Sequence, residues 1–391
     1  MVVISSIVTV AFAGSVVVTP LYPLFQHEFG FSELTLTLIY AVYVVGNVVA
    51  LLLFGQVSDQ IGRKRVAIPA LLLAAVAGLL FIAASGTGFL FAGRLLIGLA
   101  VGIASGTGIA WLADEFGPAR RSTATVWAAT ANMAGIALGS LLGGLLGQYA
   151  PWPLKLPFVV YIAMTVVVVV AIWRMPAAHQ AGRWRDVRIH PRVGVPRELL
   201  GAFAGPAVTG FVIFALGGLY FALVPGILIE DLHISNIAIG GAVVSELGAF
   251  AVVGILLGRR LNPRVAMVCG QVLLLPSVGL VVAAQALASR PLLLTAAAFA
   301  GVTLALGYQG SLRVVNEIAP DERRAEVASA YFIACFLGNS VPVIGVGLLS
   351  TVAGPLTASI VFAVTIAALS VAALIPVVVS VAERTFGPWS R

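Results

Sequence analysis

Twelve runs of mostly apolar residues alternate with short polar connections along the 391 residues of the chain. They lie near 2–26, 34–57, 66–85, 89–113, 123–149, 156–174, 199–229, 237–258, 265–288, 291–317, 326–352 and 356–380. As a helix, each is long enough to cross a hydrocarbon core of ~30 Å at ~1.5 Å per residue. Short connections make successive helices antiparallel neighbours. The longest polar stretch, Met175 to Arg197, carries Arg183, Arg185, Arg188 and Arg192 and separates six runs from six. The pattern therefore predicts an all-α integral membrane protein, with twelve transmembrane helices in two six-helix bundles. The expected domains are 1–174, a linker at 175–197, and 198–391. The first run starts at Met1 with no basic residues ahead of it, so it reads as an uncleaved first helix.

The two halves echo one another. At an offset of 202, Pro23 maps to Pro225, Glu28 to Glu230, Glu115 to Glu317 and Pro118 to Pro320. At 203, Arg120 and Arg121 map to Arg323 and Arg324, Gly135 to Gly338 and Gly144 to Gly347. Spacing this constant indicates parallel repeats, a common plan among transporters. At 199, the charged connection Gly55-Gln-Val-Ser-Asp-Gln-Ile-Gly-Arg-Lys-Arg65 recurs as Gly254 to Arg264 without its acid, and Asn47 falls opposite Glu246.

Composition narrows the function classes. Hydrophobic residues make up 60% and charged ones 9%, against about 25% charged in a soluble domain. A formal net charge of +7 would suggest nucleic acid in a soluble chain; here the bases sit between apolar runs, where they set topology. Of the 22 Lys and Arg, only Lys155 and Arg290 fall on the side opposite the Gly55–Arg65 turn, and Arg94 lies within a run. That bias places the turn and both termini in the cytoplasm, with the chain in the cytoplasmic (inner) cell membrane. Cys269 and Cys335 sit in apolar runs and read as packing residues. His27, His179, His190 and His233 all fall in connections. No catalytic triad, metal cluster or phosphate-binding Gly-Lys-Ser/Thr loop is present, so no enzyme, no cofactor and no ATP-driven pump is expected. The expected partners are a small-molecule substrate, protons and membrane lipid, with no nucleic acid, and the chain is expected to act as a monomer.

The Gly55–Arg65 turn resembles the signature of the major facilitator superfamily, Gly-x-Leu-Ala-Asp-Arg-x-Gly-Arg-Lys between helices 2 and 3. Gly55, Asp59, Gly62, Arg63 and Lys64 match, while Val57 and Gln60 depart from it. Its residue types also have local reasons. Glycine permits a tight turn, Asp59 can pair with a base, and Arg63 can fork onto a carboxylate. The resemblance implies a major facilitator fold and a cytoplasmic latch between the halves, built from Asp59, Arg63 and either Asp114 or Glu115. The surface near Ala325 would meet Asp59. A purely topogenic basic loop is the alternative.

Two charges lie at membrane depth. Glu246, mid-way along the eighth run, would cost about 2.5–3.5 kcal/mol there as an isolated ion, which makes it a candidate proton carrier or a carboxyl held by a structural partner. Arg94, in Phe91-Ala-Gly-Arg-Leu-Leu-Ile-Gly98, resembles the family's Arg-x-x-Gln-Gly motif, linked there to proton coupling, with Ile97 in place of Gln. Outward snorkelling is the other reading. Arg313 is explained by an i,i+4 pair with Glu317.

In the fifth run, Gly135, Gly139, Gly143 and Gly144 form a surface for close helix packing. The run resembles the antiporter signature Gly-x-x-x-Gly-Pro-x-x-Gly-Gly with Ser140 in place of Pro, which implies a seam against helix 11 at Gly338–Gly347. Candidate cavity residues are Tyr22, Tyr43, Asn47, Trp111, Asn132, Tyr220, Tyr308 and Asn339. Few charges and several aromatics suit a lipophilic substrate better than a phosphorylated one. Proton-coupled efflux of lipophilic, drug-like molecules is the expected function. Uptake of a metabolite or sugar by symport or uniport, and a non-transporting membrane receptor or scaffold, stay open.

Overall fold

A computed structural model describes residues 1–176, 187 and 193–386. Most of the expected linker, including Arg183, Arg185, Arg188 and Arg192, and the C-terminal residues 387–391 lie outside the described residues. Among the described residues, twelve helices are long and apolar enough to cross a membrane. Helix 1 runs Val2–Val16 and continues as Tyr22–Phe29; helices 2 to 6 are Glu33–Phe54, Arg63–Ile82, Thr87–Phe116, Arg121–Tyr149 and Leu156–Arg174. Helices 7 to 12 are Leu200–Ala222, Ile237–Gly258, Pro263–Ala286, Arg290–Ile318, Arg324–Ala353 and Pro355–Phe386. The chain forms two six-helix bundles.

The first and seventh runs are each interrupted where the sequence reads as continuous. Pro20 lies in a 3₁₀ turn, Thr19–Leu21, between the two parts of helix 1, and a short helix Val224–Glu230 follows helix 7 with Pro225 in its first turn. Proline has no amide to donate and its ring crowds the preceding turn, so each helix restarts there.

Bare backbone approaches reveal the repeat. A Cβ on Gly135 would overlap the Thr9 carbonyl oxygen, and one on Gly338 would overlap that of Phe211. Gly98 sits in the same way against the Tyr43 carbonyl, and Gly301 against that of Leu247. The repeat thus pairs helix 1–helix 5 with helix 7–helix 11, and helix 2–helix 4 with helix 8–helix 10. The second correspondence corrects the 199 offset: Tyr43 matches Leu247, so Asn47 matches Ala251, and Glu246 has no polar counterpart in helix 2.

The halves meet along two seams. Helix 5 packs on helix 8, and helix 2 on helix 11. The expected seam of helix 5 against helix 11 is therefore corrected. Gly135, Gly139 and Gly143 face Thr9, Ala13 and Val17 of helix 1, while Gly144 faces Ala238 and Gly241 of helix 8. Glycines at i, i+4 and i+8 share one helical face, and that face is taken by the helix of the same half. The next residue round the helix reaches the other half.

Candidate functional site

The charged turn folds as a five-residue helix, Val57–Ile61, ended by Gly62 at φ 96°, a conformation that strains a residue with a Cβ. Gly55 instead has helical angles, φ −55° and ψ −29°. Arg63 forks as expected, with Nη1–Asp59 Oδ1 at 2.5 Å and Nε–Asp114 Oδ2 at 2.9 Å. Its Nη1 also donates to Ser58 Oγ at 2.7 Å. The acid from helix 4 is thus Asp114 rather than Glu115. All these groups belong to the first six helices, so in this state the cluster ties helices 2 to 4 together and does not latch one half to the other. Lys64 has a separate task. Its Nζ donates to the Trp173 and Met175 carbonyls at 2.8 and 2.6 Å, capping the end of helix 6 where carbonyls lack helical partners.

Hydrogen bonds between the halves lie at the end remote from that turn, while toward the turn Val126 and Ala129 of helix 5 still pack with Ala251 and Ile255 of helix 8 and Ala305 of helix 10. Tyr40 Oη donates to Asn339 Oδ1 at 3.0 Å across helices 2 and 11. Ser140 Oγ donates to the Gly241 carbonyl at 3.1 Å across helices 5 and 8. One turn further out, the Ile237 amide donates to Gln148 Oε1 at 2.8 Å, and Asn236 Nδ2 to Tyr149 Oη at 2.9 Å. Helix 8 begins there, so helix 5 caps it in trans. Arg313, expected to pair with Glu317, instead donates to the Gly258 carbonyl and Gln309 Oε1.

Arg94 is fully buried and does not snorkel. Its Nε donates to Tyr22 Oη at 2.6 Å, Nη2 reaches the same oxygen, and Nη1 donates to the Ser15 carbonyl at 2.5 Å. The guanidinium carbon lies 5.1, 5.6 and 5.7 Å from the ring centroids of Tyr22, Tyr40 and Tyr43. These π-faces supply negative potential without a carboxylate. Asn47 Nδ2 donates to Tyr43 Oη at 3.0 Å, which extends the cluster one turn along helix 2.

Glu246 is placed differently. On helix 8, Gly241, Val244 and Gly248 face helix 5 and Leu247 and Gly254 face helix 10, whereas Glu246 shares a stripe with exposed Ala242, Ala249 and Val253. The carboxyl is half-buried, and its Oε2 is covered without a hydrogen-bond partner. Tyr220 Oη, within electrostatic range of it, and Asn132 Oδ1 also lack partners.

The expected cavity residues do not line one surface. Tyr22, Tyr43, Asn47 and Asn339 are packed into the Arg94 cluster and the seam beside it. Trp111 is buried within the first bundle's core, and Tyr220 in the core cluster at the closed end. Tyr308 belongs to a half-buried aromatic group that sequence reading missed. Phe214 meets Tyr308 edge-on at 5.6 Å and Phe336 at 6.2 Å, and Phe336 lies 6.5 Å from Phe332. Phe332, Phe336 and Asn339 follow at i, i+4 and i+7 on helix 11, a spacing that was available as a signal.

The sequence matches the profile of the Major Facilitator Superfamily over residues 4–341. Similar curated proteins include the MFS-type transporter traF of Penicillium crustosum, 33% identical over 36% of this chain and 29% of that protein. The Bacillibactin exporter of Bacillus subtilis is 29% identical over 40% of each chain. The Chloramphenicol resistance protein CraA of Acinetobacter baumannii is 24% identical over 59% of this chain and 55% of that one. These matches span between about a third and just over half of each relative's length. In fold, the chain resembles a bacterial homologue of the human lysosomal transporter Spinster, whose crystal structure is inward-facing and unoccupied, at TM-score 0.77, 14% identity and 95% coverage of both chains.

Proposed function

We propose that this chain, which belongs to the Major Facilitator Superfamily, exports lipophilic small molecules from the cell by alternating access, driven by inward movement of protons. One observation carries the reading. The seams are hydrogen-bonded through Tyr40–Asn339 and Ser140–Gly241 at one end, while at the other end the Arg63 pairs with Asp59 and Asp114 stay within one half. A carrier caught at one extreme of its cycle needs such an asymmetry between its ends, since opening one end requires holding the other shut. With the basic connections cytoplasmic, the closed end is external and the interior faces the cytoplasm.

Within this reading, Glu246 carries the coupling proton. Its half-exposed carboxyl has an oxygen without a partner, and ionisation at mid-depth costs enough that occupancy by a proton can bias one conformation over another. Arg94 stays charged throughout and holds helices 1, 2 and 4 in register. Asp59, Gly62, Arg63 and Asp114 set the angle between helices 2 and 4 at the cytoplasmic end, and a latch to the other half is completed only when that end closes. Gly135, Gly139 and Gly143 allow helix 5 to move with helix 1 as one unit.

The test is transport in proteoliposomes of known orientation under an imposed pH gradient. Substrate moving against the proton flow, with flux lost in Glu246→Gln while the protein stays folded, is the expected result. Substrate and protons moving together would identify an uptake symporter instead, and full coupling in Glu246→Gln would eliminate that carboxyl as the carrier.

A further inference from the structure

The aromatic group of the second bundle faces the interior on each of its three helices. On helix 7, Phe214, Gly217 and Phe221 share one face, and Gly217 touches Leu304 of helix 10. Tyr308 lies one turn along helix 10 from Leu304, on the same side. On helix 11, the face bearing Phe332 and Phe336 leads directly to Asn339 and its bond to Tyr40. Phe336 also packs against the core of the first bundle. The rings of Phe214, Tyr308, Phe332 and Phe336 thus form a ladder directly beneath the closed seam, half-buried and with their pairings incomplete.

The charges around that ladder are turned away or occupied. Arg94 is sealed by Tyr22 and the Ser15 carbonyl. Glu246 lies on the exposed stripe of helix 8, away from the faces that meet helices 5 and 10. Arg313, toward the basic end of helix 10, is bonded to Gly258 and Gln309. A cation brought beneath the seam would shed its water and find ring faces but no carboxylate among the described residues around the ladder, and the ~0.5–2 kcal/mol of a cation–π contact does not offset that desolvation. A flat uncharged ring system loses little water and gains offset and edge-on contacts with the ladder. We infer that this ladder is the binding face of the carrier and that it selects planar, uncharged, conjugated ring compounds over cations of the same shape. The inference rests on the proposed reading that the interior takes a lipophilic solute.

Two tricyclic dyes of nearly equal size separate the alternatives: acridone, which is neutral, and proflavine, which is cationic at neutral pH. Equilibrium dialysis against the purified full-length protein in detergent, with protein-free micelles as the blank, should give acridone a Kd at least about tenfold below that of proflavine. Phe336→Leu and Tyr308→Leu should each weaken acridone by about threefold to tenfold, the range one aromatic contact supplies. Gel filtration and thermal unfolding of each leucine variant, matching the natural protein, separate a lost contact from misfolding. Proflavine binding as tightly as acridone, or leucine variants that bind acridone normally, would overturn the inference. If neither dye binds but proteoliposomes still move another solute, the ladder falls and the transporter reading stands. If nothing is bound and nothing is moved, both fall.

Discussion

Each half of the molecule holds one charge at membrane depth, and the two are treated in opposite ways. Arg94 is enclosed, with a hydroxyl, a carbonyl and three aromatic rings around it. Glu246 is half-exposed beside an exposed stripe of helix 8, with one oxygen unpaired. A guanidinium cannot give up its proton, so its charge must be accommodated by structure. A carboxyl can be neutralised by a proton, so it tolerates an apolar setting that would expel a fixed charge. The arginine is therefore expected to hold the fold, and the glutamate to respond to its surroundings.

Removing the guanidinium should have the largest effect. Arg94→Ala leaves Tyr22 Oη and the Ser15 carbonyl without donors and opens a void, at a cost on the order of 3–5 kcal/mol. Thermal unfolding of the purified protein should show it, and a change under about 1 kcal/mol would remove the basis for contrasting the two sites. Arg94→Lys keeps the charge but not the fork, and should fall midway between Ala and the natural residue in the same assay.

The next effects concern the two seams between the halves. Ser140→Ala removes a donor that bonds across the halves, and at about 1 kcal/mol per hydrogen bond it should shift the balance roughly fivefold toward the form open at that end. Labelling of a cysteine in place of Ala238, which is buried at that seam, would report the shift. Tyr40→Phe should act similarly through Asn339 while preserving the ring over Arg94. The seams are separate, so the double variant should be additive within about 0.5 kcal/mol. A non-additive result would indicate that the two seams open as one unit.

Glu246→Gln should have the smallest effect on stability, within about 1 kcal/mol of the natural protein. A large loss would show that the carboxyl has a structural partner and would erase the contrast with Arg94.

Helix number and position were legible because bilayer thickness imposes run length, and the sequence shows each run plainly. The Arg63–Asp114 contact was narrowed to two acids by their position at the end of helix 4, and side-chain direction decided between them. Glu246 was matched to Asn47 because a repeat offset of 199 fits the charged turn, where the second half is shorter, but not the helix before it. A shift of a few residues turns a helical side chain through most of a revolution. The aromatic ladder was missed for another reason: its rings come from three helices, and only Phe332 and Phe336 share a spacing. The seam partners of helix 5 likewise depended on which faces meet, which no single run encodes.

The borrowed cap on helix 8 has a kinetic consequence. Gln148 shields the Ile237 amide only while the halves touch at that end, and an amide in a first helical turn has no intrahelical acceptor to replace it. Its hydrogen–deuterium exchange rate should therefore track the fraction of time that end is open. The first turn of helix 8 becomes a built-in clock for the cycle, readable by mass spectrometry without a label, a ligand or a known substrate.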